Sequence, residues 1–152
     1  MYSIFDIAKW FLKKESMDHK KLQKLCYYSQ AWYYTFYQKI LIDEKFEGWV
    51  HGPVNRTLWH ALSKYGYLPV PSNEMDRQAK DVSKDVSDFL DRVWATYGKF
   101  TGGQLEALTH QEQPWINSRA GLDSQAPGNR PISLSGMRAY YSSLISSDGV
   151  GE

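Results

Sequence analysis

The chain has a single cysteine among its 152 residues, Cys26, which excludes an intrachain disulfide and fits a reducing compartment. It has no apolar run of the length a membrane span requires, and its polar-interrupted N-terminus lacks the hydrophobic segment of a signal peptide. These two absences read as a cytoplasmic protein with no membrane partner. An excess of one charge is also missing, because 18 Lys and Arg against 17 Asp and Glu leave +1, so no strong long-range field is built. Arginine does not occur before Arg56. Lys13, Lys14, Lys20, Lys21 and Lys24 make a basic stretch, but without the side chain most used to read bases, so nucleic acid is not an expected partner.

The motifs of known chemistries are absent as well. There is no HExxH, GxSxG, P-loop or GxGxxG, and Gly102-Gly103 is too short to cradle a phosphate. The four histidines, His19, His51, His60 and His110, have no metal-ligand spacing. No cofactor, metal or enzymatic activity is therefore expected. The one enzymatic arrangement left is spatial: Cys26 or Ser29 as a nucleophile brought by folding to His51 or His110.

Aromatic residues are plentiful at 15%, with 11 Tyr and 6 Trp, and their placement predicts a mainly α domain over 1–145 with a flexible tail over 146–152. About six helices are predicted around one long central helix. Ile4, Ile7, Ala8, Phe11 and Leu12 mark the first, over about 2–14. Asp18 is a plausible N-cap for the long helix to Gln38, whose core stripe takes Leu22, Leu25, Cys26, Ser29, Tyr33 and Phe36. Tyr27 and Tyr34 fall on its far side, flanked by Gln23 and Lys24; these four are the candidate partner-binding residues, with cover by another part of the chain as the alternative.

Phe46–Val50 has strand-like composition, predicting at most a short β element there. Pro53 reads as a first helical position after Gly52, opening a helix closed by Gly66. Trp49 is expected to bury against the long helix, so that Trp49→Ala truncates the core. Residues 72–80 read as a mobile polar connection. Helices follow over about 82–97, from a capping box Thr101–Gln104 to about His110, at Pro114-Trp115 as a short turn, and over 134–145 behind Ser133.

Three stretches, KLQKLCYYSQAWYY, FEGWVHGPVNRTLW and LTHQEQPW, together resemble the Panacea domain, also described as SocA-like or phage-associated GepA-like. The resemblance rests on Leu22, Leu25 and Tyr28 in the first stretch and on Trp49, Gly52, Pro53 and Val54 in the second. His110, Pro114 and Trp115 carry it in the third. Trp49, Gly52-Pro53 and Trp115 are read as mainly structural, Trp115 closing the core. What the resemblance implies is a prophage-associated type II antitoxin that neutralises a cognate toxin by direct binding. One branch of the family implies instead an adaptor delivering the toxin to a cytoplasmic protease. Family members often carry added DNA-binding segments, for which this sequence leaves no room outside the matched stretches.

Overall fold

A computed structural model describes residues 1–147. Its helices are α1 (Ile4–Lys14), α2 (His19–Tyr37), α3 (Arg56–Leu62), α4 (Lys84–Tyr97), α5 (Gly102–Thr109), α6 (Gln113–Ser118) and α7 (Leu134–Ser147). A 3-10 turn, Ser63–Tyr65, follows α3, and the strands β1 (Glu47–Trp49) and β2 (Gly52–Val54) form an antiparallel hairpin. The fold is thus mainly helical with a small two-stranded sheet, as the sequence predicts, with one helix more than expected because Gln113–Ser118 is a full α-turn behind Pro114. The predicted tail overlaps α7 at Ser146 and Ser147; residues 148–152 lie outside the described residues.

The caps explain where the helices begin. The Ser3 hydroxyl accepts from Asp6 N at 3.3 Å while Asp6 Oδ2 accepts from Ser3 N at 3.0 Å, a capping box that opens α1. Asp18 accepts from Lys21 N at 2.9 Å to open α2, and the Thr101–Gln104 box opens α5, both as the sequence predicts. Ser133 Oγ likewise receives Gly136 N at 2.9 Å. The helix after the hairpin starts later than predicted. Asn55 Oδ1 accepts from Leu58 N at 2.9 Å, so Asn55 is the cap and Pro53 belongs to β2, an edge strand that tolerates its missing N–H.

α2 is the axis. From Lys21 to Ala31 every residue is buried, because α1, α3, α4, α5, α7 and the hairpin all pack around it. Its stripe leaves the core earlier than predicted: Tyr33 is half-buried and Phe36 is 51% exposed. The polar connection after α3 is anchored, not loose. Val70 and Met75 are fully buried, Val70 N donates to Met17 O at 2.7 Å, and Lys80 N donates to Asp6 Oδ1 at 2.8 Å.

Candidate functional site

The residues of the three motif stretches converge where α2, the hairpin, α5 and α6 meet, and most of them do so through main-chain clasps. Gln23 donates from Nε2 to Asn55 O and accepts Asn55 N on Oε1, both at 2.8 Å, tying α2 to the start of α3. Gln30 repeats the device one side further on, accepting Leu41 N and Ile42 N and donating to Ile42 O. Lys24, 1% exposed, donates from Nζ to Pro53 O at 3.1 Å. Burial pushes its ammonium down to about 7, against the pull of the Glu106 carboxylate.

Gly52 sits over that lysine with φ +106°, and a Cβ built on it would lie 2.7 Å from Lys24 Cε. Left-handed backbone and a packed neighbour both require glycine here. Gly52→Ala is expected to cost about 1–3 kcal/mol in chemical denaturation. An unchanged denaturation midpoint would mean that the hairpin tip is free to rearrange. Gly48, the other hairpin glycine, lies where a Cβ would come within 1.9 Å of Ser118 Oγ.

Around this joint stands a cluster of titratable groups. Glu106 reaches Lys20 at 2.7 Å and the exposed His51 Nδ1 at 3.3 Å. Burial raises its carboxyl, but the bonds from Lys20 and His51 outweigh that and hold it below the ordinary range. His110 stacks on Trp115 with ring centroids 4.0 Å apart at 11°, and Trp115 Nε1 donates to Trp49 O at 2.8 Å. Burial keeps the His110 imidazole below its ordinary value, and its Nε2 has no hydrogen-bond partner. Pro114 is buried and Trp115 half-buried, so the LTHQEQPW stretch seals the hairpin against α5. Among the described residues no group of three or more His, Cys, Asp or Glu is placed to hold a metal ion.

Cys26 and Ser29 lie elsewhere. Both are fully buried; burial pushes the Cys26 thiol far up, and the Ser29 hydroxyl donates to Leu25 O at 2.8 Å. His51 is engaged with Glu106 and His110 is stacked on Trp115, so a nucleophile–histidine pair of the kind the sequence left open is not what these side chains form.

Tyr27, Gln23 and Lys24 are 1% exposed each, which corrects their reading as a contact surface in favour of the alternative, cover by the chain itself: Tyr141 of α7 lies on Tyr27, Asn55 on Gln23 and the hairpin on Lys24. Tyr27 Oη meets Tyr141 Oη at 3.1 Å, and both Tyr28 and Tyr141 donate to Glu112 Oε1 at 2.8 Å. Burial raises the Glu112 carboxyl, opposed by those two hydroxyls. Tyr34 is half-buried. Trp49 is corrected too. It is half-buried beside Trp59, at 5.6 Å between ring centroids, under the Arg56 guanidinium and bonded through Nε1 to Glu47, not packed into the core.

Exposed aromatic side chains lie at the C-terminal end of α2 and, at Tyr67, 97% exposed, after the 3-10 turn. Phe36, Tyr37 and Ile40 are 51%, 45% and 40% exposed. Phe36 stacks on Trp32 at 5.4 Å, Tyr37 packs on Tyr33 at 4.8 Å, and Arg92 donates to Tyr37 Oη at 3.1 Å. Ile40 also lines an adjoining apolar cleft of about 220 Å³ with Met1, Ile42, Phe46, Leu134 and Met137. Periodicity put Phe36 in the core; its position two residues before the left-handed Gln38, where the chain leaves its neighbours, is the signal that could have placed it outside.

The basic stretch is neutralised from within. Lys13 pairs with Asp76 at 2.8 Å, Lys14 with Asp91 at 2.9 Å and Lys20 with Glu106 at 2.7 Å, while Lys21 donates to Gly98 O. No helix among the described residues is long and apolar enough to cross a membrane.

No curated protein and no solved structure matches the chain. The family described as antitoxin SocA-like, Panacea domain, matches residues 22–116, a span that begins at Leu22 on α2, takes in the hairpin with its Gly52 turn, and ends one residue after Trp115. The three motif stretches whose side chains meet at this joint all fall within or overlap that span, and the chain belongs to the SocA-like antitoxin, Panacea domain family.

Proposed function

We propose that the chain is the antitoxin of a prophage-associated type II toxin–antitoxin pair and neutralises its toxin by direct protein–protein binding in the cytoplasm. The observation that carries this reading is the family match over residues 22–116. The architecture supports it, since the motif residues are spent on holding α2, the hairpin and α6 together. Such a scaffold serves a contact surface, and the surface it offers is aromatic.

The contact is assigned to Phe36, Tyr37, Ile40 and Arg92. Interface hot spots favour Trp, Tyr and Arg anchors flanked by pockets, and here Tyr37 with its Arg92 partner is followed three residues later by Ile40, which lines a mainly apolar cleft. Tyr27, Gln23 and Lys24 serve inside, as the supports of α2.

The test is expression of the neighbouring gene alone and with this chain. Growth arrest by the neighbour, rescue on co-expression and a co-purifying complex are expected. Phe36→Ala with Tyr37→Ala should weaken that complex at least about tenfold, with only a modest fall in melting temperature because each ring is about half exposed. A non-toxic neighbour, or two products that do not associate, would sink the antitoxin reading. A complex indifferent to the double variant would move the contact to another face.

A further inference from the structure

The hairpin turn lies over a buried charge that the antitoxin reading does not use. Both ends of the turn are fixed. Gly48 N donates to Arg130 O at 2.9 Å, and Gly48 O accepts from Arg119 Nη1 at 3.0 Å. At the other end Asn55 is clasped by Gln23 through both of its main-chain groups at 2.8 Å. Between these anchors, residues 49–53 are tied to the rest of the chain more lightly. Trp115 Nε1 donates to Trp49 O at 2.8 Å, the exposed His51 meets Glu106 at 3.3 Å, and Lys24 Nζ donates to Pro53 O at 3.1 Å.

The floor beneath the turn is polar and incompletely matched. Lys24 is 1% exposed, and among the described residues Pro53 O is the one hydrogen-bond acceptor of its ammonium, which leaves its remaining N–H bonds without one. A Cβ on Gly52 would lie 3.3 Å from Lys24 Nζ and 3.1 Å from Thr109 Oγ1, so the turn rests directly on the ammonium. The Thr109 hydroxyl is committed to Glu106 O at 2.8 Å. His110 Nε2, at the end of α5, is buried without a partner. An ammonium kept from water with so few acceptors is costly. Lifting the turn gives it water while the anchors at Gly48 and Asn55 stay in place.

We propose that residues 49–53 form a lid that opens on its own, hinged at Gly48 and Asn55, and that a proton gained by Lys24 loosens it. The lid lies apart from the aromatic residues at the end of α2 and does not depend on the toxin reading.

Asp18, His19 and Lys20 on α2, Glu106 and His110 from the α5 side, and His51 on the turn itself face the amine. With the lid closed, burial pushes the Lys24 ammonium down to about 7; with the lid open it is hydrated and keeps its ordinary 10.5. Opening therefore takes up a proton between these values. It becomes more frequent as pH falls toward 7 and is level below that. His51 acts in the opposite sense, because its pair with Glu106 is charged on both sides only when the imidazole is protonated. That pair is exposed, and such pairs are weak.

The test is amide hydrogen exchange of the full chain by NMR from about pH 6 to about 8.5, with and without low urea, read as protection factors so that the chemical pH dependence divides out. The amides of Trp49 and Gly52, which face each other across the hairpin, are expected to exchange through an opening that low urea does not accelerate. Those of residues 22–31 should exchange through the urea-sensitive unfolding of the domain. Protection at Trp49 and Gly52 should fall about tenfold per pH unit between about 8.5 and 7.5 and level off below about 7. Lys24→Met should flatten that slope and keep the urea-insensitive opening; if this variant does not fold, the wild-type profiles decide alone. Trp49 and Gly52 amides as urea-sensitive as those of α2 would overturn the lid. A flat wild-type profile, or the same slope in Lys24→Met, would overturn its control by Lys24.

Discussion

Tyr28→Ala is expected to remove about 3–5 kcal/mol of folding stability, enough to unfold a domain of ordinary stability or bring it to the edge. The residue is fully buried in the middle of α2. Its ring stacks on Tyr97 at 4.0 Å and 10°, and its hydroxyl donates to Glu112 Oε1 at 2.8 Å. Truncation therefore opens a cavity between α2 and α4 and also withdraws one of the two hydroxyls that hold a buried carboxylate. Tyr28→Phe separates these costs, keeping the stack and removing only the hydrogen bond, for about 1–3 kcal/mol. Urea denaturation of the two variants measures both. If Tyr28→Ala melted with wild type, the α2–α4–α7 junction would not be the closed core described above. A Phe variant as damaged as the Ala variant would shift the weight from packing to the Glu112 network.

This junction also shows what the sequence could and could not disclose. The caps at Asp18, Thr101 and Ser133 were legible because a short polar side chain before a periodic run has a local purpose. The hairpin at Glu47–Val54 was half legible. Its strand composition showed, but Pro53 was assigned to a helix because a proline's fixed φ suits a first helical turn and an edge strand alike. The candidate contact face of α2 stayed open between exposure and cover by the chain for a different reason. Gln23, Lys24 and Tyr27 read as a solvated face because polar side chains usually face water. Here their polar atoms are consumed by Asn55, by Pro53 O and by Tyr141. Each of those acceptors comes from a distant part of the chain, so no pattern within α2 announces it. The reverse error at Phe36 has the same root. Spacing says which residues share a face, not where the neighbouring helices stop.

Replacing Lys24 by methionine should abolish a stability gain that wild type shows as pH rises above neutrality. The folded ammonium is pushed down to about 7 from an ordinary 10.5, because burial removes its water and Pro53 O is the acceptor it reaches. Below pH 7 the lysine is protonated in both the folded and the unfolded chain, and the folded state bears the full cost of a buried charge. Between about 7 and 10.5 the unfolded chain holds the proton and the folded chain has released it. Unfolding then takes up a proton, so stability rises with pH across this window. At 1.36 kcal/mol per unit, the interval from pH 7 to 9.5 corresponds to about 3 kcal/mol. Glu106, Lys20, Asp18, His19, His51 and His110 face the site, and because the Lys24 charge itself helps hold His19 and His110 down, the difference between the two proteins is read most cleanly from pH 8 to 9.5. Burial holds His19 and His110 below their ordinary values, which keeps both neutral through most of the window. At pH 6.5 the variant should lie close to wild type, since loss of the buried charge offsets the unpartnered Pro53 carbonyl. By pH 9.5 it should be the less stable of the two by about 3 kcal/mol. Urea denaturation at pH 6.5, 8 and 9.5 decides it: curves that stay parallel for the two proteins would show that Lys24 keeps its proton when folded, and that water or an acceptor other than Pro53 reaches it beneath the hairpin.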